Sequence, residues 1–105
     1  MNLLFICSRN KWRSATAEAI YKNHPEYSVR SAGTEPSAIV RVNAGLIAWA
    51  EIIFVMEKVH KQRLIEKFQE ELIDKKIVIL DIDDDYQFMD PELVEMIRIS
   101  VEASL

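Results

Sequence analysis

One stretch of this chain combines a nucleophile, a forked cation and a hydroxyl at a spacing suited to anion chemistry. It is Cys7-Ser8-Arg9-Asn10-Lys11-Trp12-Arg13-Ser14, a C-x5-R-S pattern around the sole cysteine. An apolar run, Asn2–Ile6, precedes it, and an Ala- and Glu-rich segment beginning at Ser14 follows. The pattern thus falls between a buried strand and a helix N-terminus. Backbone N–H groups of such a loop converge on one point, and the helix dipole adds positive charge. That setting favours a thiolate, the nucleophilic form of cysteine. Arg13 can hold two phosphate oxygens through its planar guanidinium, and the Ser14 hydroxyl can donate to the sulfur. A lone cysteine at a strand end is commonly just a small buried apolar residue. Here the arginine spacing, the serine and the strand–loop–helix setting agree on catalysis.

A second candidate is Asp81-Ile82-Asp83-Asp84-Asp85-Tyr86, which follows the last apolar strand. Clustered carboxylates disfavour one another's ionisation, so one of them can stay protonated and serve as an acid. A solvated turn accounts for the others. Two rival readings of this loop fail. The strand-then-DxD pattern of haloacid-dehalogenase-type phosphatases needs far more chain after it than the 22 residues that follow Asp83. Asp81, Asp83, Asp85 and Glu92 mimic a calcium loop, but Tyr86 stands where such a loop needs glycine, and a strand precedes it.

The elements that must position these residues follow from hydrophobic patterning. Asn2–Ile6, Tyr27–Ser31, Glu51–Met56 and Lys76–Leu80 read as strands. Ser14–Asn23, Val40–Ala50, Glu57–Leu72 and a last helix from Asp90-Pro91-Glu92 to about Ala103 read as helices. His24-Pro25 closes the first helix. Strict alternation of short apolar strands and helices implies a parallel sheet covered on both faces, an α/β fold with right-handed crossovers. Ligands of such sheets bind beyond the carboxyl ends of the strands, where the Cys7 and Asp81 loops lie.

Composition excludes several classes. The 105 residues are expected to form one domain, residues 1–105, with an ordinary 50% hydrophobic and 29% charged content. A net charge of −4 argues against a nucleic-acid partner. One cysteine permits no internal disulfide, no CxxC pair and no cysteine-rich zinc site. The start of the chain does not resemble a signal peptide, and no apolar stretch reaches the roughly 20 residues of a membrane span. The expected setting is cytoplasmic, away from membranes.

Leu3–Tyr21, LLFICSRNKWRSATAEAIY, resembles the opening of the low-molecular-weight protein tyrosine phosphatases. The shared features are an apolar strand, C-x5-R-S, the loop asparagine (Asn10) and A-E-A in the helix. Ser31-Ala-Gly-Thr is similar to that family's S-A-x-T segment, Ile52–Glu57 (IIFVME) to its third strand with a Met-acid ending, and Tyr86 and the final helix to its C-terminal portion. A short subgroup of predicted phosphatases has about this length. The resemblance implies a three-layer domain with a four-stranded parallel sheet, of the phosphatase-I or flavodoxin-like kind. It further implies a phosphocysteine on Cys7, formed and hydrolysed without metal or cofactor. Arg13 would bind phosphate together with Ser8, Arg9, Asn10, Lys11, Trp12 and Ser14. Aligned on Tyr86, the general acid is Asp84, with Asp81 the alternative and Ser31 and Tyr86 in support. The substrate would be phosphotyrosine or a small phosphomonoester, with inorganic phosphate the product.

The chain departs from that family at several points. Trp12 stands in place of a second cysteine, which removes a protective disulfide and argues against arsenate reduction. Arg9 replaces a loop glycine, and Asp85 replaces a proline beside the acid. The segment from Thr34 to Ala44, one wall of the family's cleft, is much shortened. Two other readings therefore stand beside the enzyme. One is a phosphate- or phosphoprotein-binding module with little turnover. The other is a phosphocarrier resembling the cysteine-phosphorylated sugar-transport subunits, against which Arg13 argues. His24 reads as a helix-end residue, and His60 as a surface or half-buried one.

Overall fold

In the computed structural model, which describes residues 1–105, the first apolar run forms β1 (Asn2–Cys7) at the interior of the sheet. Its side chains alternate between two cores, as the pleat requires. Leu3, Phe5 and Cys7 face one cluster, and Leu4 and Ile6 face the other. Parallel partners flank it: β2 (Ser28–Gly33) on one side and β3 (Ile52–Val55) on the other, with β4 (Lys76–Ile79) at the far edge. The sheet order is β2-β1-β3-β4, with every pair parallel.

Helices α1 (Arg13–Tyr21) and α4 (Pro91–Ala103) contribute Ala17, Tyr21, Leu93, Ile97 and Val101 to the first cluster. Helices α2 (Ala44–Trp49) and α3 (Lys58–Lys67) contribute Ile47 and Leu64 to the second. The alternating α/β architecture expected from patterning is the one observed. The start of α4 also follows expectation, with Asp90 accepting from the Glu92 N–H and proline at the first position.

Boundaries differ where loop chemistry overrides periodicity. β2 runs on to Gly33, because Gly33 pairs with Cys7. Residues 40–43, expected in a helix, instead wrap Gly33: its N–H donates to the Val40 carbonyl, and its carbonyl accepts from the Val42 N–H. The Asn43 side chain then caps α2 by accepting from the Leu46 N–H. Helix α3 stops at Lys67, where Phe68 leaves the helical backbone (φ −129°) and turns into the core. After β4, the N–H groups of Leu80 and Ile82 donate to the carbonyls of Val55 and Met56. This stitching carries the acidic loop across the carboxyl end of the sheet, toward Cys7.

Candidate active site

The Cys7 loop is held by its carbonyls. Those of Cys7, Ser8 and Arg9 accept from the N–H groups of Thr34, Glu35 and Ile39. With the carbonyls engaged on that side, the amide N–H groups of residues 8–14 have no acceptor within the chain. Helix α1 adds to this set. Its N-cap is Trp12, which offers no side-chain acceptor, whereas Asn43 and Asp90 cap α2 and α4 with their side chains and Glu57 opens α3 in a capping box with His60. A run of unpaired amides at a helix N-terminus forms an anion cradle.

Gly33 makes the close support possible. A Cβ there would lie 2.5 Å from the Ser8 carbonyl oxygen and 2.7 Å from the Ala38 Cβ. Asn10, at φ 57°, turns the loop through the left-handed region and anchors it from behind.

A directed chain of hydrogen bonds reaches the sulfur. The Val40 N–H donates to Asn10 Oδ1 at 3.2 Å, which fixes the amide's orientation. Asn10 Nδ2 then donates to Ser31 Oγ and to Ser14 Oγ, both at 2.8 Å. The Ser31 hydroxyl in turn donates to Glu18 Oε1 at 2.8 Å. Ser14, already accepting from Asn10, is left to donate toward Cys7 Sγ, 3.0 Å away. All of Cys7, Asn10, Ser14 and Ser31 are buried. Low polarity there strengthens each bond of the chain.

Arg13 is 2% exposed. Its Nη1 is fixed by Glu57 Oε1 at 2.5 Å and by the Ile82 carbonyl at 2.9 Å. These two bonds leave Nη2 unengaged, while Nε faces Asp84 Oδ1 at 3.6 Å. A guanidinium pinned at one corner still presents N–H groups to an anion. The resulting pocket is lined by Cys7, Ser8, Arg9, Lys11, Trp12, Arg13 and Asp84. Lys11 lies 5.0 Å over the Trp12 ring, so a cation and an aromatic edge share the rim.

The structure thus brings together in one pocket most of the residues expected there. Asn10 and Ser14, expected to touch phosphate, stand behind the loop and brace it. Ser31 belongs to the same bracing network. Asp84 is the one aspartate of the acidic loop that lines the pocket. Asp81 lies at the strand end with φ 57°, and it, Asp83 and Asp85 are exposed to solvent. Tyr86 does not line the pocket. It packs against the core, with its hydroxyl 3.9 Å from Met96 Sδ.

His60 corrects the reading of it as a surface or half-buried residue, because it is fully buried. Burial, reinforced by the nearby Arg13 charge, lowers its pKa to about 4, so the ring is neutral at pH 7. Its position four residues before buried Leu64, on one helix stripe, was the available signal. Glu57 and Glu18 carry roles that their motifs, M-E and A-E-A, did not reveal.

No protein-family model matches the chain, and no curated protein matches it by sequence. Solved structures do match by shape. The tyrosine phosphatase Wzb from Escherichia coli, in complex with phosphate, superposes with a TM-score of 0.78 at 17% identity, covering 98% of this chain and 94% of that one. The low-molecular-weight protein tyrosine phosphatase from T. tengcongensis gives 0.75 at 20% identity, covering 100% and 99%. The YwlE arginine phosphatase from Geobacillus stearothermophilus gives 0.70 at 22% identity, covering 98% and 92%. The chain has the fold of the low-molecular-weight phosphatases.

Proposed function

We propose that this chain is a metal-independent phosphomonoester hydrolase of the protein-tyrosine-phosphatase type. The observation that carries the reading is Cys7 Sγ, oriented by Ser14 at 3.0 Å, in a pocket shared with Arg13 and Asp84. The mechanism has two steps. Cys7 Sγ attacks phosphorus, the ester P–O bond breaks, and Asp84 gives its proton to the leaving oxygen. Water then attacks the phosphocysteine, Asp84 takes a proton from it, the P–S bond breaks and inorganic phosphate leaves. Arg13 and the loop amides supply the positive charge that stabilises the phosphoryl oxygens in both steps.

What supports Asp84 as the acid is its place on the pocket wall with Cys7 and Arg13; Asp81 does not line the pocket. The shortened segment from Thr34 to Ala44 suits a phosphate on a protein side chain or a small aryl phosphate. A reducing compartment, the cytoplasm, suits a lone nucleophilic thiol.

The test is phosphate release from an aryl phosphate at mildly acidic pH, without metal, for the wild type beside Cys7→Ser. Turnover confined to the wild type is the expected result. Equal turnover in both proteins rejects the covalent mechanism. One observation favours the second reading, a binding module with little turnover: Asp84 is 63% exposed and is held by a single long contact. Phosphate binding without release in the wild type selects that reading, and Arg13→Ala abolishes binding under either.

A further inference from the structure

Ser8 and His60 lie 52 residues apart in the chain, on the Cys7 loop and on α3, and meet with Oγ and Nε2 at 2.9 Å. The other ring nitrogen decides the direction of that bond. The backbone N–H of Glu57 donates to His60 Nδ1 at 3.0 Å, as part of the capping box that starts α3. A backbone amide can only donate, so Nδ1 carries the lone pair and the ring proton sits on Nε2. His60 therefore donates to Ser8.

Two consequences follow. The pair has the spacing of a serine nucleophile and its base, yet Nε2 already holds a proton and cannot accept another, so Ser8 is not activated for attack. Meanwhile the Ser8 oxygen is occupied as an acceptor, and its own O–H has no acceptor within the chain. Ser8 lines the pocket with Cys7 and Arg13, so that O–H is directed by exclusion toward whatever the pocket holds.

We propose that His60 is a positioning residue that makes the Ser8 hydroxyl a fixed donor to a phosphoryl oxygen, adding one side-chain hydrogen bond to those of the backbone cradle. The proposal rests on the phosphate-site reading above. One helical turn thereby sets both sides of the pocket: Glu57 holds Arg13, and His60 holds Ser8.

The experiment titrates inorganic phosphate by calorimetry into the wild type, Ser8→Ala, His60→Leu, His60→Gln and the Ser8→Ala/His60→Leu double variant. One charge-assisted hydrogen bond corresponds to about tenfold in affinity. Ser8→Ala and His60→Leu are each expected to weaken phosphate by about that factor. The double variant is expected to be no weaker than either single one, because both act through the same bond. His60→Gln, whose amide can still donate to Ser8, is expected to recover most of the loss.

Wild-type affinity in Ser8→Ala overturns the proposal. So does a double variant whose losses multiply, or a His60→Leu protein with lowered Tm and unchanged phosphate affinity. Should His60→Leu not fold, Ser8→Ala and His60→Gln decide alone, and a His60→Gln protein that binds as weakly as Ser8→Ala overturns it. A wild type that does not bind phosphate rejects the phosphate site itself, a result distinct from all of these.

Discussion

Two loops reach the pocket, and they are fastened very differently. In the Cys7 loop, three successive carbonyls are tied to the segment after β2, Asn10 makes three side-chain bonds, and Gly33 lets the backbones touch. In the acidic loop, the backbone is stitched to β3 only as far as Ile82, and Asp84 then leans on Arg13 at 3.6 Å. Under the proposed mechanism, the part that meets charge developing on phosphorus is the one fixed by hydrogen bonds before substrate arrives. Donors already in place need no reorganisation during the reaction. Asp84, the proposed acid that meets leaving groups of different size, sits on the part with fewer bonds.

The sharpest way to break this contrast is at the nucleophile. Cys7→Ser is expected to lower turnover by on the order of 10^4 or more while phosphate still binds, as measured by aryl phosphate hydrolysis and calorimetry. Asp84→Asn comes next, with a loss of roughly 10^2–10^4 that is larger for a poor leaving group than for a good one. If Asp81→Asn shows that leaving-group dependence and Asp84→Asn does not, the acid is reassigned.

Acid titration probes the support of the Cys7 loop through stability, because His60 holds Ser8. His60 has a folded pKa of about 4, against an ordinary value near 6.5 once unfolded. Above that value neither state binds the proton. As pH falls below it the unfolded chain gains a proton that the folded chain refuses, so stability declines until pH reaches about 4. The full loss is roughly 3 kcal/mol. Denaturant melts across this range should show the decline, and His60→Gln should flatten it.

Truncation gives a finer comparison. Asn10→Ala, which strips a buried network, is expected to cost about 2–3 kcal/mol. Asp85→Ala, on an exposed turn, should stay within about 0.5 kcal/mol. Equal effects would erase the distinction between the loops.

Sequence carried the fold because its signals are contiguous. Leu3–Ile6 and Ile52–Val55 are unbroken apolar runs, and each becomes a strand buried on both faces. The C-x5-R-S pattern was legible for the same reason: its parts lie on one loop. What escaped is what acts across elements. Glu57 meets Arg13 from 44 residues away, and no local pattern encodes that pairing. His60 was obscured by Lys58, Lys61 and Gln62 around it, although its stripe with Leu64 points inward. Asp83, Asp84 and Asp85 are chemically identical neighbours, so only the path of the backbone beyond Ile82 separates them. The expected helix over 40–50 failed because Gly33 draws residues 40–42 into backbone bonds first.

The unpaired amides of residues 8–14 have a consequence beyond the proposed catalysis. An anion that fills the cradle binds the folded chain and not the unfolded one, so mass action couples ligand concentration to melting temperature. At a phosphate concentration 100 times its dissociation constant the gain is about 2.7 kcal/mol. For the proposed hydrolase, the product phosphate is then both competitive inhibitor and stabiliser, and the chain is most heat-resistant in the buffers in which it turns over most slowly.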